Sequence, residues 1–319
     1  MNSKPSVSVI MCAYNEEPLW LREAIESVLN QTYRDFEVII TLDNPDNFEL
    51  DEIILAYSTK DARIVYIKNE KNLGLVTCLN NELALSKGKY IARMDADDIC
   101  MLNRFQLQMD FMLENPSVDL VGTNIMIIDE ASDVLPGHNN APSSYKFIKR
   151  AMKYRSVIVH PTLMFKREVA MNYKIKGYRE VLLAEDYDFV CRLITNNFVV
   201  TNMKESLLKY RIRSTSVTRS NSLYQMKIKS YVIKMYKDRL KYGKDDFSKA
   251  YIKSLELTQK ENKMFELSKT IAKKAIYYKN KKWFLHYSLL FLVSKCVNKD
   301  LLLNSFRNTI YKLIYKVYN

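Results

Sequence analysis

The sequence predicts an α/β protein built on a mostly parallel sheet with flanking helices, followed by a helical C-terminal region. Up to Met94, short apolar runs rich in Val and Ile alternate with segments of helical periodicity, which is the pattern of βαβ units. All 7 prolines lie at or before Pro161 and the last of the 6 glycines is Gly243, so the tail has almost no helix breakers. We therefore predict one domain at 1–220 and a basic, mainly helical region at 221–319.

The predicted elements follow one another in a regular order. Strands of the parallel sheet are expected at 7–11, 37–42, 63–67 and 90–94. Helices between them are expected at 18–30, 51–57 and 75–86. Pro18 suits a first helical turn, and Gly88 follows the third helix as a stop signal. Later elements are helices at 101–114 and 183–196, strands within 118–128 and at 207–212, a strand-like segment at 157–165, and loops at 130–145 and 213–218.

The composition excludes several classes of protein. A hydrophobic share of 48% with 27% charged residues is that of a globular chain. The 6 glycines form neither G-x-G-x-x-G nor G-x-x-x-x-G-K-[ST], which excludes both glycine-cradled phosphate sites. The 5 cysteines are scattered and the 3 histidines are isolated, so we expect reduced thiols, a cytoplasmic location and no zinc site. Neither a signal peptide nor a membrane-spanning run is expected.

The tail at 221–319 carries 22 Lys+Arg against 7 Asp+Glu, whereas residues 1–220 carry 27 against 29. Such a charge fits a solvated helical face, attraction to an anionic membrane surface, or nucleic-acid binding. We expect no nucleic acid, because the basic residues alternate with core-type residues and form no binding motif. An apolar stripe near the C-terminus fits an interfacial helix or packing on its own domain, and a dimer contact stays open. The stripe consists of Leu303, Phe306, Ile310, Leu313, Ile314 and Val317.

Polar residues follow three of the predicted parallel strands. Tyr14-Asn15-Glu16 comes after the first strand, Asp43 after the second, and Asp95-Ala96-Asp97-Asp98 after the fourth. Ligands of such sheets bind at the carboxyl ends of the strands. These three segments therefore mark one candidate binding edge.

The segment Asp95-Ala96-Asp97-Asp98 places three carboxylates within four residues. These carboxylates repel one another, and a bound cation would offset the repulsion. Mg²⁺ and Mn²⁺ prefer carboxylate and water ligands and commonly bridge to a diphosphate. The alternative is that Asp97 or Asp98 caps the helix predicted from Met101. The position at the end of a buried strand favours the cation site.

Several motifs resemble glycosyltransferase family 2 in sequence and in order. They lie at 7–16, Asp43, 72–75, 88–98, 185–188 and 210–211, and together they extend over roughly residues 5–215. The resemblance implies the GT-A fold, a nucleotide-diphosphate sugar as donor, and a divalent metal, Mn²⁺ or Mg²⁺. It also implies that the sugar is transferred with inversion.

The resemblance assigns roles to individual residues. Asp97 matches the metal ligand, and Asp186 matches the general base that takes the proton of the acceptor hydroxyl. Asp188 is a second candidate for the base, and Glu185 would orient the base or contact the acceptor. The alternative for this acidic group is stabilisation of a helix N-terminus. Residues matched to donor binding are Cys12, Ala13, Tyr14, Glu16 and Asp43 on the nucleoside side, and Asp95 and Ala96 on the ribose side.

The chain departs from the family pattern near the end of the matched region. Where the family often has Tyr-Arg-x-His, this sequence has Tyr210-Arg211-Ile212-Arg213. Arginine does not ligate metals but pairs with phosphate through two hydrogen bonds, so we assign Arg213 to the donor diphosphate. His160 lies between the two acidic segments, either as a buried core histidine or as a pocket wall near donor or acceptor.

The expected function is that of an inverting, metal-dependent glycosyltransferase with a UDP-sugar as donor. By resemblance, the acceptor is a lipid-linked glycan of a bacterial capsule or lipopolysaccharide, at the cytosolic face of the inner membrane. Two other classes are possible. A sugar nucleotidyltransferase would need a basic loop after the first strand, where this chain has Glu16-Glu17. A non-catalytic membrane or nucleic-acid adaptor would use the basic tail and would not need intact acidic motifs.

Overall fold

The computed structural model describes residues 4–138, 140–213, 222–280, 284–296 and 299–318. The chain divides into two compact units. The first contains 1–149, 156–180 and 185–214, and the second contains 150–155, 181–184 and 215–319. The boundary predicted between 220 and 221, and most of the loop predicted at 213–218, lie outside the described residues.

A nine-stranded sheet is the centre of the first unit. Its strands are β1 Val7–Ala13, β2 Phe36–Leu42, β3 Ile64–Lys68, β4 Tyr90–Asp95, β5 Ile99–Cys100, β6 Leu120–Ile128, β7 Val134–His138, β8 Met164–Lys166 and β9 Val200–Arg211. They lie in the order β3-β2-β1-β4-β8-β6-β9-β5, with β7 paired to β6. The strands β3, β2, β1 and β4 are parallel to one another, which confirms the α/β fold class predicted from the sequence.

Helices flank this sheet. Along this part of the chain they are α1 Pro18–Leu29, α2 Phe48–Ser58, α3 Leu75–Leu85, α4 Arg104–Glu114, α5 Tyr145–Ala151, α6 Arg167–Met171 and α7 Glu185–Thr195, with a 3₁₀ turn at His160–Thr162. Pro18 lies in the first turn of α1, where its missing N–H is not needed. Gly74 precedes α3 with a φ of 82°, a left-handed conformation that glycine adopts without strain.

The sheet has one apolar face and one more polar face. Met11, Val38 and Met94 belong to the apolar core, which also contains the inner faces of α1 and α4. Because side chains alternate along a strand, the neighbours Cys12 and Thr41 point to the opposite face, toward α3. Polar side chains therefore lie beneath the carboxyl ends of the parallel strands.

Several predicted elements in the middle of the chain were wrong in type or extent. The segment 130–145, predicted as a loop, contains β7, whose Pro136 is tolerated in a peripheral strand. The segment predicted as a strand at 157–165 forms a 3₁₀ turn followed by β8. The helix predicted from Leu183 begins at Glu185, because Leu183 has a φ of 66°, outside the helical region. The strand predicted from Leu207 begins at Val200.

The second unit is helical. Beyond residue 221 its helices are α8 Ser222–Tyr242, α9 Lys249–Ser254, α10 Gln259–Asn280, α11 Phe284–Cys296 and α12 Lys299–Tyr318. Arg307 Nη1 on α12 donates to Ser230 Oγ on α8 at 2.7 Å. Ser268 Oγ on α10 donates to the Ser294 carbonyl on α11 at 2.6 Å. Among the described residues, no helix is both long enough and apolar enough to cross a bilayer.

The apolar stripe predicted on α12 is divided between two environments. Ile314 is buried, as is Leu301 in the first turn of the helix, while Ile310 is half-buried. The side chain of Val317 lies outside the described residues. The exposed members are Leu303, Phe306 and Leu313. One side of α12 is thus buried within its unit, and another side presents apolar residues outward.

Candidate active site

The ends of β1, β2 and β4 meet at one edge of the sheet. Cys12 pairs in register with Thr41 on one side and with Asp95 on the other. Asp43 follows β2 directly, and its N–H donates to the carbonyl of Ala13 at 2.8 Å. The structure therefore brings together the three strand ends singled out in the sequence.

The loop after β1 is held by its own side chains. Glu16 Oε2 accepts a hydrogen bond from the Tyr14 N–H at 2.7 Å, and Asn44 Nδ2 donates to Asn15 Oδ1 at 2.6 Å. The Tyr14 side chain is 43% exposed, so its ring is accessible for stacking. Burial raises the pKa of Glu16, although the charge of Arg213 lowers it. This loop can therefore present a flat ring and a carboxyl group beside the strand ends.

Asp43 is buried and organises the loop after β3. Its Oδ1 accepts from Asn69 Nδ2 at 2.7 Å and from the Leu73 N–H at 2.8 Å. Its Oδ2 accepts from the Gly74 N–H at 2.8 Å. A carboxylate offers about four acceptor positions, so one position on Oδ2 is left for a ligand.

Three of the residues matched to donor binding have side chains that are small or apolar. They are Cys12, Ala13 and Ala96. The side chains of Ala13 and Ala96 belong to the apolar core, so a contact from them to a donor would come through the backbone. The hydrogen bond with Cys78, together with burial, raises the pKa of the Cys12 thiol well above its ordinary value. The thiol is therefore protonated at neutral pH.

Asp95, Asp97 and Asp98 lie close enough to share one cation. One carboxylate oxygen from each residue lies within 4.8 Å of the other two. Burial and the charges of Asp95 and Glu16 raise the pKa of Asp97 to about 7, whereas Arg213 lowers it. Arg213 Nε lies 2.9 Å from Asp97 Oδ2. A set of oxygen ligands with excess negative charge fits Mg²⁺ or Mn²⁺.

Arg211 anchors the acidic segment to the end of β9. Its N–H donates to Asp98 Oδ1 at 2.8 Å, and its Nε donates to the Asp97 carbonyl at 2.8 Å. Its Nη2 pairs with Glu23 Oε2 at 2.7 Å, and its guanidinium lies 5.2 Å from the centre of the Trp20 ring. Asp98 is buried, and burial raises its pKa well above its ordinary value. Asp98 therefore fixes the backbone of the segment.

Three carboxylates at the start of α7 have different surroundings. Asp188 is fully buried, and its oxygens accept from Arg179 at 2.9 and 3.0 Å and from Arg192 at 2.7 Å. This pairing ties α7 to the neighbouring loop, and both oxygens of Asp188 are paired with arginines. Burial and the charge of Asp186 raise the pKa of Glu185 to about 7. Asp186 is partly exposed, unlike the other two.

His160 lies in a buried aromatic wall. Its Nε2 is 3.0 Å from Tyr178 Oη, and the Tyr178 ring stacks on Phe189 with centroids 4.5 Å apart. Asn80 on α3 bonds the backbone N–H and carbonyl of Tyr178 at 2.8 and 2.9 Å. Burial, with the charge of Arg93, lowers the pKa of His160 well below its ordinary value. His160 is therefore a neutral, positioned side chain.

The acidic groups of β4 and α7 lie within electrostatic reach of each other. Arg93, which pairs with Asp95 at the end of β4, lowers the pKa of Glu185, and Asp95 raises it. Glu185 and Asp186 in turn help to raise the pKa of Tyr178. The strand-end carboxylates and the α7 carboxylates therefore influence one another's ionisation.

Sequence reasoning did not single out four residues that shape this site. Arg93 interrupts an apolar strand, and a charged residue within a buried run could have indicated a functional side chain. Asn80 and Tyr178 meet across 98 residues of sequence, and Glu82 is fully buried on α3. No local pattern separates these three from ordinary surface or core positions.

Comparison with known proteins gives the family. The model of the family described as Glycosyl transferase family 2 matches residues 8–173. The chain belongs to this family. The O-antigen biosynthesis glycosyltransferase WbnJ of Escherichia coli is 34% identical over 226 residues, which cover 68% of this chain and 84% of that protein. A UDP-Gal:alpha-D-GlcNAc-diphosphoundecaprenol beta-1,3-galactosyltransferase of E. coli is 30% identical over 227 residues, covering 69% and 78%.

A solved structure supports the fold of this family 2 glycosyltransferase. Residues 1–349 of S. aureus TarS, in complex with UDP-GlcNAc, superpose with a TM-score of 0.57 at 17% identity, covering 90% of each chain. The GT-A fold expected from the resemblance is thereby confirmed. The two alternatives, a sugar nucleotidyltransferase and a non-catalytic adaptor, are not favoured, because the chain belongs to a glycosyltransferase family and keeps its acidic segments.

Proposed function

We propose that this glycosyltransferase moves a sugar from a UDP-sugar to a hydroxyl group of a lipid-linked glycan, with inversion, in the synthesis of a bacterial surface polysaccharide. The observation that carries the proposal is that two acidic groups lie within electrostatic reach of each other. Asp95 and Asp97 lie at the end of β4, and Glu185 and Asp186 lie at the start of α7. A single displacement needs one group at the leaving diphosphate and another at the attacking hydroxyl.

The strand-end group would serve the leaving diphosphate. Asp97 and Asp95 would hold Mn²⁺ or Mg²⁺, and three carboxylate oxygens within 4.8 Å of one another fit such an ion. When bound, a divalent cation offsets the negative charge that develops on the leaving group. The buried Arg93 pairs with Asp95 and holds it in place. Arg213, beside Asp97, is placed to pair with phosphate oxygens.

Asp186 is proposed as the general base. Among the three α7 carboxylates it is the partly exposed one, while Asp188 is held by two arginines. Glu185, with a pKa of about 7, carries a proton in a good part of the molecules at neutral pH and can donate a hydrogen bond to the acceptor. Attack from the face opposite the leaving group, assisted by one base, inverts the anomeric centre.

The donor and acceptor classes are proposed from relatives. TarS was solved with UDP-GlcNAc, and one relative is named for UDP-Gal, so we propose a UDP-hexose or UDP-N-acetylhexosamine donor. That relative's named acceptor carries diphosphoundecaprenol, and another relative is named for O-antigen biosynthesis. Both names support a lipid-linked glycan as acceptor, used at the cytosolic face of a membrane.

We further propose that α12 rests on an anionic lipid surface near such an acceptor. Leu303, Phe306 and Leu313 are 45%, 63% and 61% exposed, and Lys312 and Lys316 on the same helix are also exposed. Apolar side chains beside lysines suit the boundary of a negatively charged bilayer. The test is sedimentation with phosphatidylglycerol vesicles, which should retain the wild type and lose a Phe306→Ser, Leu313→Ser variant. If gel filtration instead shows that the wild type is a dimer and this variant a monomer, the exposed surface of α12 contacts a second copy of the chain.

The test of the activity is a nucleotide-release screen. Purified protein with Mn²⁺ or EDTA is offered a panel of UDP-, GDP- and TDP-sugars, beside Asp97→Ala and Asp186→Asn variants. Release of UDP from one donor is expected, with a loss of about 100-fold or more in each variant. Lys60→Ala, an exposed charge change, serves as the control and should keep full activity. Release of pyrophosphate would contradict the proposal and favour a nucleotidyltransferase.

A further inference from the structure

The carboxylates at the end of β4 have cationic partners of two kinds. Arg93, paired with Asp95, has a side chain only 4% exposed. Arg211, whose backbone N–H donates to Asp98 Oδ1, has a fully buried side chain. Both arginines lie within β4 or β9 and are fixed by burial. Neither can leave its partner without disturbing the sheet.

Arg213 differs from these two arginines. It lies two residues beyond the end of β9, and its side chain is 23% exposed. Its Nε lies 2.9 Å from Asp97 Oδ2, and its guanidinium lies 5.8 Å from the centre of the Trp20 ring. Its charge also lowers the pKa of Glu16 across the site. Arg213 is therefore a partly exposed cation that is already bound to the carboxylate matched to the metal ligand.

Arg213 and a divalent metal ion would compete for the same carboxylate, that of Asp97. A guanidinium has no lone pair to offer a metal, so it cannot join the coordination of the ion. Its positive charge beside Asp97 repels a divalent ion on the same carboxylate. An ion that binds Asp97 must therefore displace Arg213 or accept this repulsion.

We propose that Arg213 is an internal counter-ion of Asp97 that competes with the divalent cation until the donor diphosphate draws it away. A diphosphate offers the bidentate oxygen pairs that a guanidinium prefers over a single carboxylate oxygen. Donor binding would then free Asp97 for the metal, and metal and donor would bind with positive coupling. This coupling is reciprocal, because it is a free energy shared by the two sites. The diphosphate part of the inference rests on the proposed function, whereas the competition at Asp97 does not.

The test is calorimetric titration of Mn²⁺ alone into the 319-residue chain, without nucleotide. Arg213→Ala is expected to bind Mn²⁺ about fivefold more tightly than the wild type. This is the affinity change that corresponds to the free energy of one partly exposed ion pair. Arg213→Lys keeps the positive charge and should stay near the wild type. Lys60→Ala removes one exposed charge elsewhere and controls for net charge. Melting curves of all variants confirm that they fold.

A second titration adds saturating UDP. The wild type should then gain more Mn²⁺ affinity from UDP than Arg213→Ala does, because only the wild type has a counter-ion to remove. The inference is overturned if Arg213→Ala binds Mn²⁺ no more tightly than the wild type without nucleotide, or if neither protein binds Mn²⁺. If UDP binds to neither protein while Arg213→Ala still gains Mn²⁺ affinity, the proposed donor is wrong and the competition stands.

Discussion

Replacing Glu82 with glutamine is expected to stabilise the first unit at neutral pH. Glu82 lies on the inner face of α3 and is fully buried. Among the described residues, neither of its carboxyl oxygens finds a hydrogen-bond partner of normal geometry. Burial raises its pKa from 4.5 to about 8, and it outweighs the lowering effects of Thr41 and Arg93. The folded protein therefore holds this carboxyl in its neutral form at pH 7.

The size of the effect follows from proton linkage. The unfolded chain releases this proton near pH 4.5, whereas the folded chain keeps it up to about pH 8. The folded state thus binds more protons between these values, so its stability falls as the pH rises through this range. Each pH unit costs about 1.4 kcal/mol, and by pH 7 the cost reaches about 3 kcal/mol. Glutamine has the same shape and never carries this cost.

The assay is urea unfolding of the wild type and Glu82→Gln from pH 5 to pH 8.5. A Trp283→Phe background leaves Trp20 as the single tryptophan of the chain, so its fluorescence reports on the first unit. The matched control is Glu37→Gln, a substitution of another buried glutamate, which lies on β2. Glu37 is also buried, but it accepts from Ser8 Oγ at 2.6 Å and from the Lys87 N–H at 2.7 Å. Glutamine would accept both hydrogen bonds without the carboxylate charge that strengthens them, so this substitution should lower the free energy of unfolding.

The expected result is a gain of about 3 kcal/mol for Glu82→Gln at pH 7 that shrinks toward zero near pH 5. A gain that does not change with pH would show that the effect comes from packing. Equal or lower stability than the wild type at pH 7 to 8 would refute the reasoning, because it would mean that Glu82 is ionised and paired in the folded protein.

Three further substitutions test the packing around the site. Asp188→Asn should lower the free energy of unfolding by about 3 kcal/mol, because it removes the carboxylate charge that pairs with the buried Arg192 and the partly exposed Arg179; urea unfolding measures this. Gly88→Ala should cost about 2 kcal/mol in the same assay, since its Cβ would lie 2.5 Å from the backbone nitrogen of Ser8. Asn80→Ala removes both hydrogen bonds to the Tyr178 backbone and should cost about 2 kcal/mol, with hydrogen exchange rising first at Tyr178.

The parallel half of the sheet was predictable because its strands are buried on both sides. Mostly apolar, β-branched runs such as Val7–Ala13 and Phe36–Leu42 leave little choice of structure. The strand Val134–His138 was missed because its Pro-Gly pair is typical of a turn, and only pairing with β6 makes it a strand. The start of β9 was missed because polar residues alternate there and carry no apolar run.

The candidate site was predictable where chemistry is concentrated in a short segment. Asp95 to Asp98 stand out because adjacent carboxylates at a strand end need a counter-charge. The burial of Glu82 was not predictable, because a single glutamate on an amphipathic helix normally faces water. The pairing of Arg213 with Asp97 joins residues 116 positions apart, which are brought together by the β5–β9 pairing and the hydrogen bonds of Arg211.

The most direct test of the proposed chemistry separates donor binding from proton transfer. UDP with Mn²⁺ is titrated calorimetrically into the wild type, Asp97→Ala and Asp186→Asn. The wild type and Asp186→Asn are expected to bind UDP with similar affinity, because Asp186 serves the acceptor, whereas Asp97→Ala should bind at least about tenfold more weakly. Equal UDP binding by Asp97→Ala and the wild type, or a loss of binding in Asp186→Asn matching that in Asp97→Ala, would contradict the division of roles between β4 and α7.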